Sequence, residues 1–208
     1  MKEITLEKLG ELFNKEPSLN LPKEIAIKDG YLTSRKEYEA LATLCNLKEP
    51  KTIFEIGTFE GTSTLILAMN AKADSTIYTL DLPNSKTDTK FDIGELNKTY
   101  TGFKGKLAFE GTKYSTKINP LKGDSATFDF SKYKDNIDFV FVDGAHTYDY
   151  TKNDTEKALS MIRGDGIILW HDYNPSYWPD TVRFLDDLAK KKELFHVKDT
   201  YLVFMIKR

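Results

Sequence analysis

A single cysteine, Cys45, stands in 208 residues, so no internal disulfide can form, and nothing else in the chain suggests an oxidising compartment. No apolar run approaches the roughly 20 residues that a membrane span requires. The start, Met1-Lys2-Glu3-Ile4-Thr5, is charged early and lacks the apolar stretch of a secretory signal. Charge of one sign is missing too. Thirty Lys and Arg against 32 Asp and Glu leave a formal charge of -2, too little to favour nucleic acid or an anionic membrane. These absences predict a soluble, cytoplasmic protein with no nucleic-acid and no membrane partner. The oligomeric state is not set by the sequence, and a homodimer is compatible with it.

What is present is an alternating α/β rhythm. Residues 1–50 read as a helical segment. Leu6, Leu9, Leu12 and Phe13 recur at helical spacing until Pro17 and Pro22 interrupt. A second helix is predicted from a Thr33/Ser34 cap, with Glu37 completing a capping box. Its apolar side carries Tyr38, Leu41, Leu44 and Cys45, which makes Cys45 core filler rather than a reactive thiol. Residues 51–208 read as one α/β domain. Strands are predicted at 52–56, 76–80, 118–122, 137–142 and 166–170, with helices at 62–71, 148–163 and 181–192. Such alternation implies a parallel sheet. Two further strands, 194–197 and 201–206, flank Lys198-Asp199-Thr200, a link too short for a parallel crossover. Between about 83 and 120 the chain is polar but dotted with Phe91, Tyr100, Phe103 and Phe109, a composition that predicts a folded, lid-like insertion. Lys190-Lys191-Lys192 suits a helix C-terminus, where cations oppose the dipole.

Polar residues gather where these strands end. The first strand runs into Glu55-Ile56-Gly57-Thr58-Phe59-Glu60-Gly61-Thr62-Ser63. Gly57 and Gly61 permit a sharp turn close to a ligand, and Thr62 and Ser63 add hydroxyls beside free helix amides. A G-x-G-x-x-G dinucleotide fingerprint is absent, and Glu55 and Glu60 suit a cationic or zwitterionic ligand better than a pyrophosphate. Asp81 closes the second strand, where a carboxylate accepts both hydroxyls of a ribose; the alternative is a turn-starting Asp before Pro83. Gly123-Asp124-Ser125 follows the third, either meeting an adenine amino group or starting a helix. The fourth ends in Asp143-Gly144-Ala145-His146 and the fifth in His171-Asp172. In an open α/β sheet, ligands sit beyond these carboxyl ends. His146 is either a general base beside the small Gly144 and Ala145 or a cap for the helix near Tyr148.

With these motifs together, the chain from about residue 30 to 208 resembles class I S-adenosylmethionine (SAM)-dependent methyltransferases. Within them it is most similar to the macrocin-type sugar O-methyltransferases of methyltransferase domain family 24. The resemblance implies a Rossmann-like, mostly parallel seven-stranded sheet with an antiparallel last strand and helices on both faces. It implies that Glu55, Gly57, Thr58, Gly61, Thr62 and Ser63 line the methionine side of SAM. Asp81 with Leu82 would hold the ribose, Asp124 with Ser125 would border the adenine, and Asp143 would close the cofactor site. Catechol-type relatives bind a divalent metal, Mg or Mn, at positions matching Asp143, His171 and Asp172. His171 departs from their oxygen ligands, and a mixed set also suits Fe, Ni or Zn. The catalytic pair becomes His146, as base, and Asp143. The activity implied is methyl transfer to a small-molecule hydroxyl, a sugar among the candidates. Two other readings remain: a two-His, one-carboxylate iron oxygenase built on the same histidines, and a non-catalytic nucleotide-binding module.

Overall fold

The computed structural model describes residues 1–22, 34–83, 88–94 and 103–208. Thr33 and Tyr100, which figure in the expected cap and insertion, lie outside the described residues. Eight strands form one sheet in the order β1-β7-β8-β6-β5-β2-β3-β4. They are β1 (Lys2–Ile4), β2 (Thr52–Ile56), β3 (Thr76–Asp81), β4 (Ile118–Lys122), β5 (Ile137–Val142), β6 (Ile162–Trp170), β7 (Phe195–Val197) and β8 (Val203–Ile206). β8 runs antiparallel to both β6 and β7, and every other pairing is parallel. The short Lys198–Thr200 link had required this reversal.

The strand beyond the expected seven is β1. Its three residues carry no alternation a sequence reader could use. Ile4 is nevertheless buried, and the strand pairs in register with Phe195–Val197 at the sheet edge. The N-terminal segment is thus part of the main sheet rather than helical throughout.

Alternate residues of the central strands feed two cores, as the period of two demands. Ile53, Phe139, Phe141, Ile167 and Leu169 face α1 (Leu6–Phe13), α2 (Arg35–Lys48) and α3 (Thr62–Asn70). Phe54, Val140, Val142, Ile168 and Trp170 face α4 (Tyr148–Met161) and α5 (Pro179–Ala189). Sheets covered on both faces read as near-continuous apolar runs, which is why 137–142 stood out. Beside β2 and β3, rings do part of the covering: Phe54 meets Tyr133 edge-on at 4.8 Å and Phe130 at 5.4 Å. Cys45 is fully buried with its thiol against the Leu67 carbonyl at 3.5 Å, and burial pushes its pKa far up, so it is core. Among the described residues, no helix is long and apolar enough to cross a membrane.

Strand order reverses between β2 and β5, so a crevice opens beyond their carboxyl ends. α2 walls it on one side: Ser34 and Glu37 complete the expected capping box.

Candidate functional site

The crevice begins with the loop from β2 to α3. Gly57 has φ +100°, and a Cβ there would lie 1.9 Å from the Asp143 carbonyl oxygen. Only glycine permits that approach. Gly61 has φ +78° and caps α3, with Phe109 of the insertion packed directly on it. Between them the Phe59 N–H donates to Asp81 Oδ2 at 2.9 Å, while the Leu82 N–H donates to Oδ1 at 2.8 Å. Each Asp81 oxygen keeps a second lone pair for a hydroxyl. Burial raises the Asp81 pKa from its ordinary value.

Glu55 sits beneath this loop rather than in the crevice. Ser63 donates to Oε1 at 2.6 Å, and Thr79 donates to Oε2 at 2.6 Å, with Thr64 on the same oxygen. Thr58 and Thr79 share a further hydroxyl contact at 2.6 Å. Glu55 is fully buried, and burial pushes its carboxyl up to about 7. Its place is that of a buttress tying strand to helix, a correction to the expectation that it lines the ligand.

Asp124 is likewise committed to the protein. Tyr150 Oη and the Ala126 N–H donate to Oδ1, both at 2.8 Å, and the Lys90 N–H donates to Oδ2 at 2.9 Å. Ser125 is buried beside it and reaches Asp154, whose carboxyl burial raises to about 6. These bonds dock the insertion over the third strand end: Phe91 packs edge-on against Tyr150 at 5.4 Å, and Thr147 bonds the Asp92 carbonyl.

The rim's centre holds four titratable groups. His146 Nε2 lies 2.5 Å from Asp172 Oδ2 and 3.8 Å from Asp143 Oδ1. Burial opposes charge on His146, but Asp172 and then Asp143 outweigh it and lift the pKa to about 9. His171 Nδ1 lies 3.1 Å from both Asp143 Oδ1 and Asp172 Oδ2, and the same balance holds it well above its ordinary value. Asp172 is held far below the carboxylate range, its burial overcome by His171 and His146. Asp172 also takes φ +63°, a left-handed conformation that Asp tolerates, and this turns its carboxylate back toward both rings.

The group that could hold a metal ion differs from the expected one. Ligand atoms of Asp143, His146 and Asp172 lie within 4.8 Å of one another. That group names His146 where His171 was expected; His171 Nε2 is 3.0 Å from Glu37 Oε1, while its Nδ1 lies 3.1 Å from both aspartates. Two participants had no sequence signal pointing here. Glu37 reads as a helix cap, and its 134-residue separation from His171 is invisible to local pattern. Trp178, just ahead of α5, stacks on His146 with ring centres 4.1 Å apart.

Next to this cluster is a cavity of about 100 Å³, walled by Gly57–Ser63, Glu37, Tyr38 and Leu41 of α2, Phe141, Asp143, His171 and Leu202. Thr58, Gly61, Thr62 and Ser63 thus share one wall with Gly57, and Asp143 joins that wall to the cluster.

Comparison with known proteins agrees with this architecture. The chain is 26% identical over 150 residues to a caffeoyl-CoA O-methyltransferase of Stellaria longipes, covering 72% of this chain and 56% of that one. It is 26% identical over 195 residues to caffeoyl-CoA O-methyltransferase 2 of Zea mays, covering 92% and 68%. The chain therefore spans only part of these relatives' length. Among solved structures, the O-methyltransferase TomG of Streptomyces achromogenes, in complex with SAM, superposes with a TM-score of 0.58 at 17% identity, covering 98% and 88%. The O-methyltransferase of Bacillus cereus, in complex with SAH, does so at 0.57 and 17%, covering 100% and 92%. At such identity these two speak for the fold. Residues 54–173, from β2 to the turn after β6, match a family model described as "Methyltransferase domain", and the chain belongs to that family.

Proposed function

We propose that the chain transfers a methyl group from SAM to a hydroxyl of a small molecule. The observation that carries this reading is the meeting, at one rim, of a glycine cradle, a ribose-type carboxylate and a buried base beside an acid pair. SAM fits the cradle on its chemistry. Gly57 to Ser63 wall a cavity of its own, and that wall meets Asp143, an acid suited to a zwitterionic amino-acid moiety. SAM, when bound, supplies an electrophilic methyl on a sulfonium. The chain's part is to hold and align. Gly57 to Ser63 bind the methionine end, Asp81 accepts ribose hydroxyls, and His146 Nε2 takes the acceptor proton. In-line displacement depends chiefly on alignment, so positioning supplies most of the acceleration. Phe103, in the lid-like segment, packs on Phe59 of the cofactor wall at 5.7 Å, which supports a part for that segment in shaping the acceptor pocket. The balanced charge and the lone buried cysteine favour a cytoplasmic setting.

A divalent cation fits the donor set of Asp143 and Asp172, with His146 near enough to be a third ligand. Such a cation acts as Lewis acid and template for an acceptor oxygen. Two carboxylates and an imidazole suit Mn better than Mg. Exhaustive chelation is expected to lower turnover, and Mn²⁺ to restore it more fully than Mg²⁺. Full activity after chelation, unchanged by either ion, removes the metal from the account.

Asp81→Ala is expected to weaken SAM binding by about 1.5–3 kcal/mol, roughly ten- to a hundredfold, because a charged acceptor for two hydroxyls is lost. Calorimetry reads this directly; unchanged affinity would return Asp81 to a turn role. The reaction itself is tested with methyl-labelled SAM against caffeoyl-CoA, catechol and a fractionated metabolite extract. Label in an acceptor fraction, and none after Asp143→Asn, is the expected result.

A further inference from the structure

We infer that Glu37, on α2 and outside the matched methyltransferase segment, is a positioning residue of the site that acts through His171. Glu37 is only 2% exposed, and donors face both of its oxygens. Oε2 accepts from the Ser34 N–H at 2.6 Å, the expected capping contact. Oε1 takes His171 Nε2 at 3.0 Å and the Tyr201 N–H at 3.2 Å. A helix cap needs only the first of these contacts. The second fixes the far nitrogen of the ring whose near nitrogen lies 3.1 Å from Asp143 and from Asp172. One carboxylate thereby joins three pieces of chain: the start of α2, the end of β6 and the residue before Leu202, which lines the cavity. A buried imidazole with a fixed partner on one nitrogen presents the other in a fixed direction. Glu37 therefore sets the plane of His171, and His171 sets the acid pair beside His146.

Only a carboxylate satisfies this arrangement. An amide in its place turns an NH₂ group toward a donor on one side or the other. Glu37→Gln therefore disturbs either the cap or His171, and Ser34→Ala, which removes the hydroxyl half of the same capping box while keeping the Ser34 N–H to Oε2 contact, controls for a weakened helix start.

The inference rests on the methyl-transfer reading for its consequence, but its geometry is testable without turnover. Proton NMR of ¹⁵N-histidine-labelled protein at neutral pH reads the His171 Nε2 proton, assigned with His171→Asn. The proton is expected to exchange slowly in wild type and Ser34→Ala and roughly tenfold or more faster in Glu37→Gln. With labelled SAM and caffeoyl-CoA as the probe acceptor, Glu37→Gln is expected to lose about ten- to a hundredfold in kcat, the scale of a small misplacement, with little change in KM for SAM. The double variant Glu37→Gln/His171→Asn is expected to be no slower than His171→Asn alone. Unchanged proton exchange in both Glu37→Gln and Glu37→Ala, equal loss of the proton in Ser34→Ala, or additive kinetic losses would overturn the inference. If wild type transfers no label, the methyl-transfer reading fails, while the exchange measurement still decides whether Glu37 positions His171.

Discussion

His146→Ala is expected to fold and bind SAM as the wild type does, yet to lose at least about a hundredfold in kcat, the usual contribution of a positioned base. The ring is held between Asp172 and Asp143 with Trp178 stacked on one face, so its orientation is set before any acceptor arrives. Those two acids also keep it protonated at neutral pH, since its pKa is lifted to about 9. The base form therefore grows roughly tenfold per pH unit below that value, and metal-free turnover is expected to climb as pH rises toward 9. The linked stability runs the opposite way. A histidine whose folded pKa is raised contributes fully below its unfolded value and loses that contribution as pH rises through about 9. Kinetics with Mn²⁺ titration separates the roles open to this side chain. A variant that keeps its Mn²⁺ affinity and loses kcat identifies a base, whereas one that loses both identifies a ligand. A near wild-type rate once stability is matched would pass the proton to another group.

Gly57→Ala is expected to be the most damaging single substitution of the cofactor wall. The added methyl would sit 1.9 Å from the Asp143 carbonyl oxygen and 3.1 Å from the Gly144 nitrogen, all backbone that cannot rotate away. The residue must also hold φ +100°. Steric overlap and a disfavoured conformation each cost about 1–3 kcal/mol, so a loss of about 3–5 kcal/mol is expected. At this chain length that lowers Tm by roughly 10 °C or more. Gly61→Ala provides the contrast, because its methyl meets the Phe109 ring at 2.9 Å, a side chain able to give. Thermal unfolding of the two variants should rank them clearly, Gly57→Ala far below Gly61→Ala. Equal stability would mean that the β2–α3 loop does not bear on Asp143 as described.

The strands of the central sheet were legible because two covered faces leave one polar residue, Asp138, in 137–142 and an apolar majority in 52–56. The rim was legible because acids and histidines fall at successive strand ends, a regularity that turn preference alone does not produce. What escaped was set by distance in sequence. Glu37 announced itself only as a cap, since nothing local points across 134 residues to His171. Glu55 was placed at the ligand because strand-end acids usually face the crevice. Three threonine and serine hydroxyls turn it inward instead, and no spacing rule shows that. His146 stands in the possible metal group where His171 was expected, for a similar reason. The chain turn through Asp172 at φ +63° decides how the acids meet the two rings, and that dihedral has no signature in composition. β1 was missed because three residues with one buried side chain cannot display a period.

The account's central claim is that the cradle beside Asp143 takes SAM. Isothermal titration with SAM, and in parallel with NADH, measures it most directly. Saturable heat with SAM, weakened by Asp81→Ala and absent with NADH, is the predicted result. Tight NADH binding with no heat from SAM would contradict it.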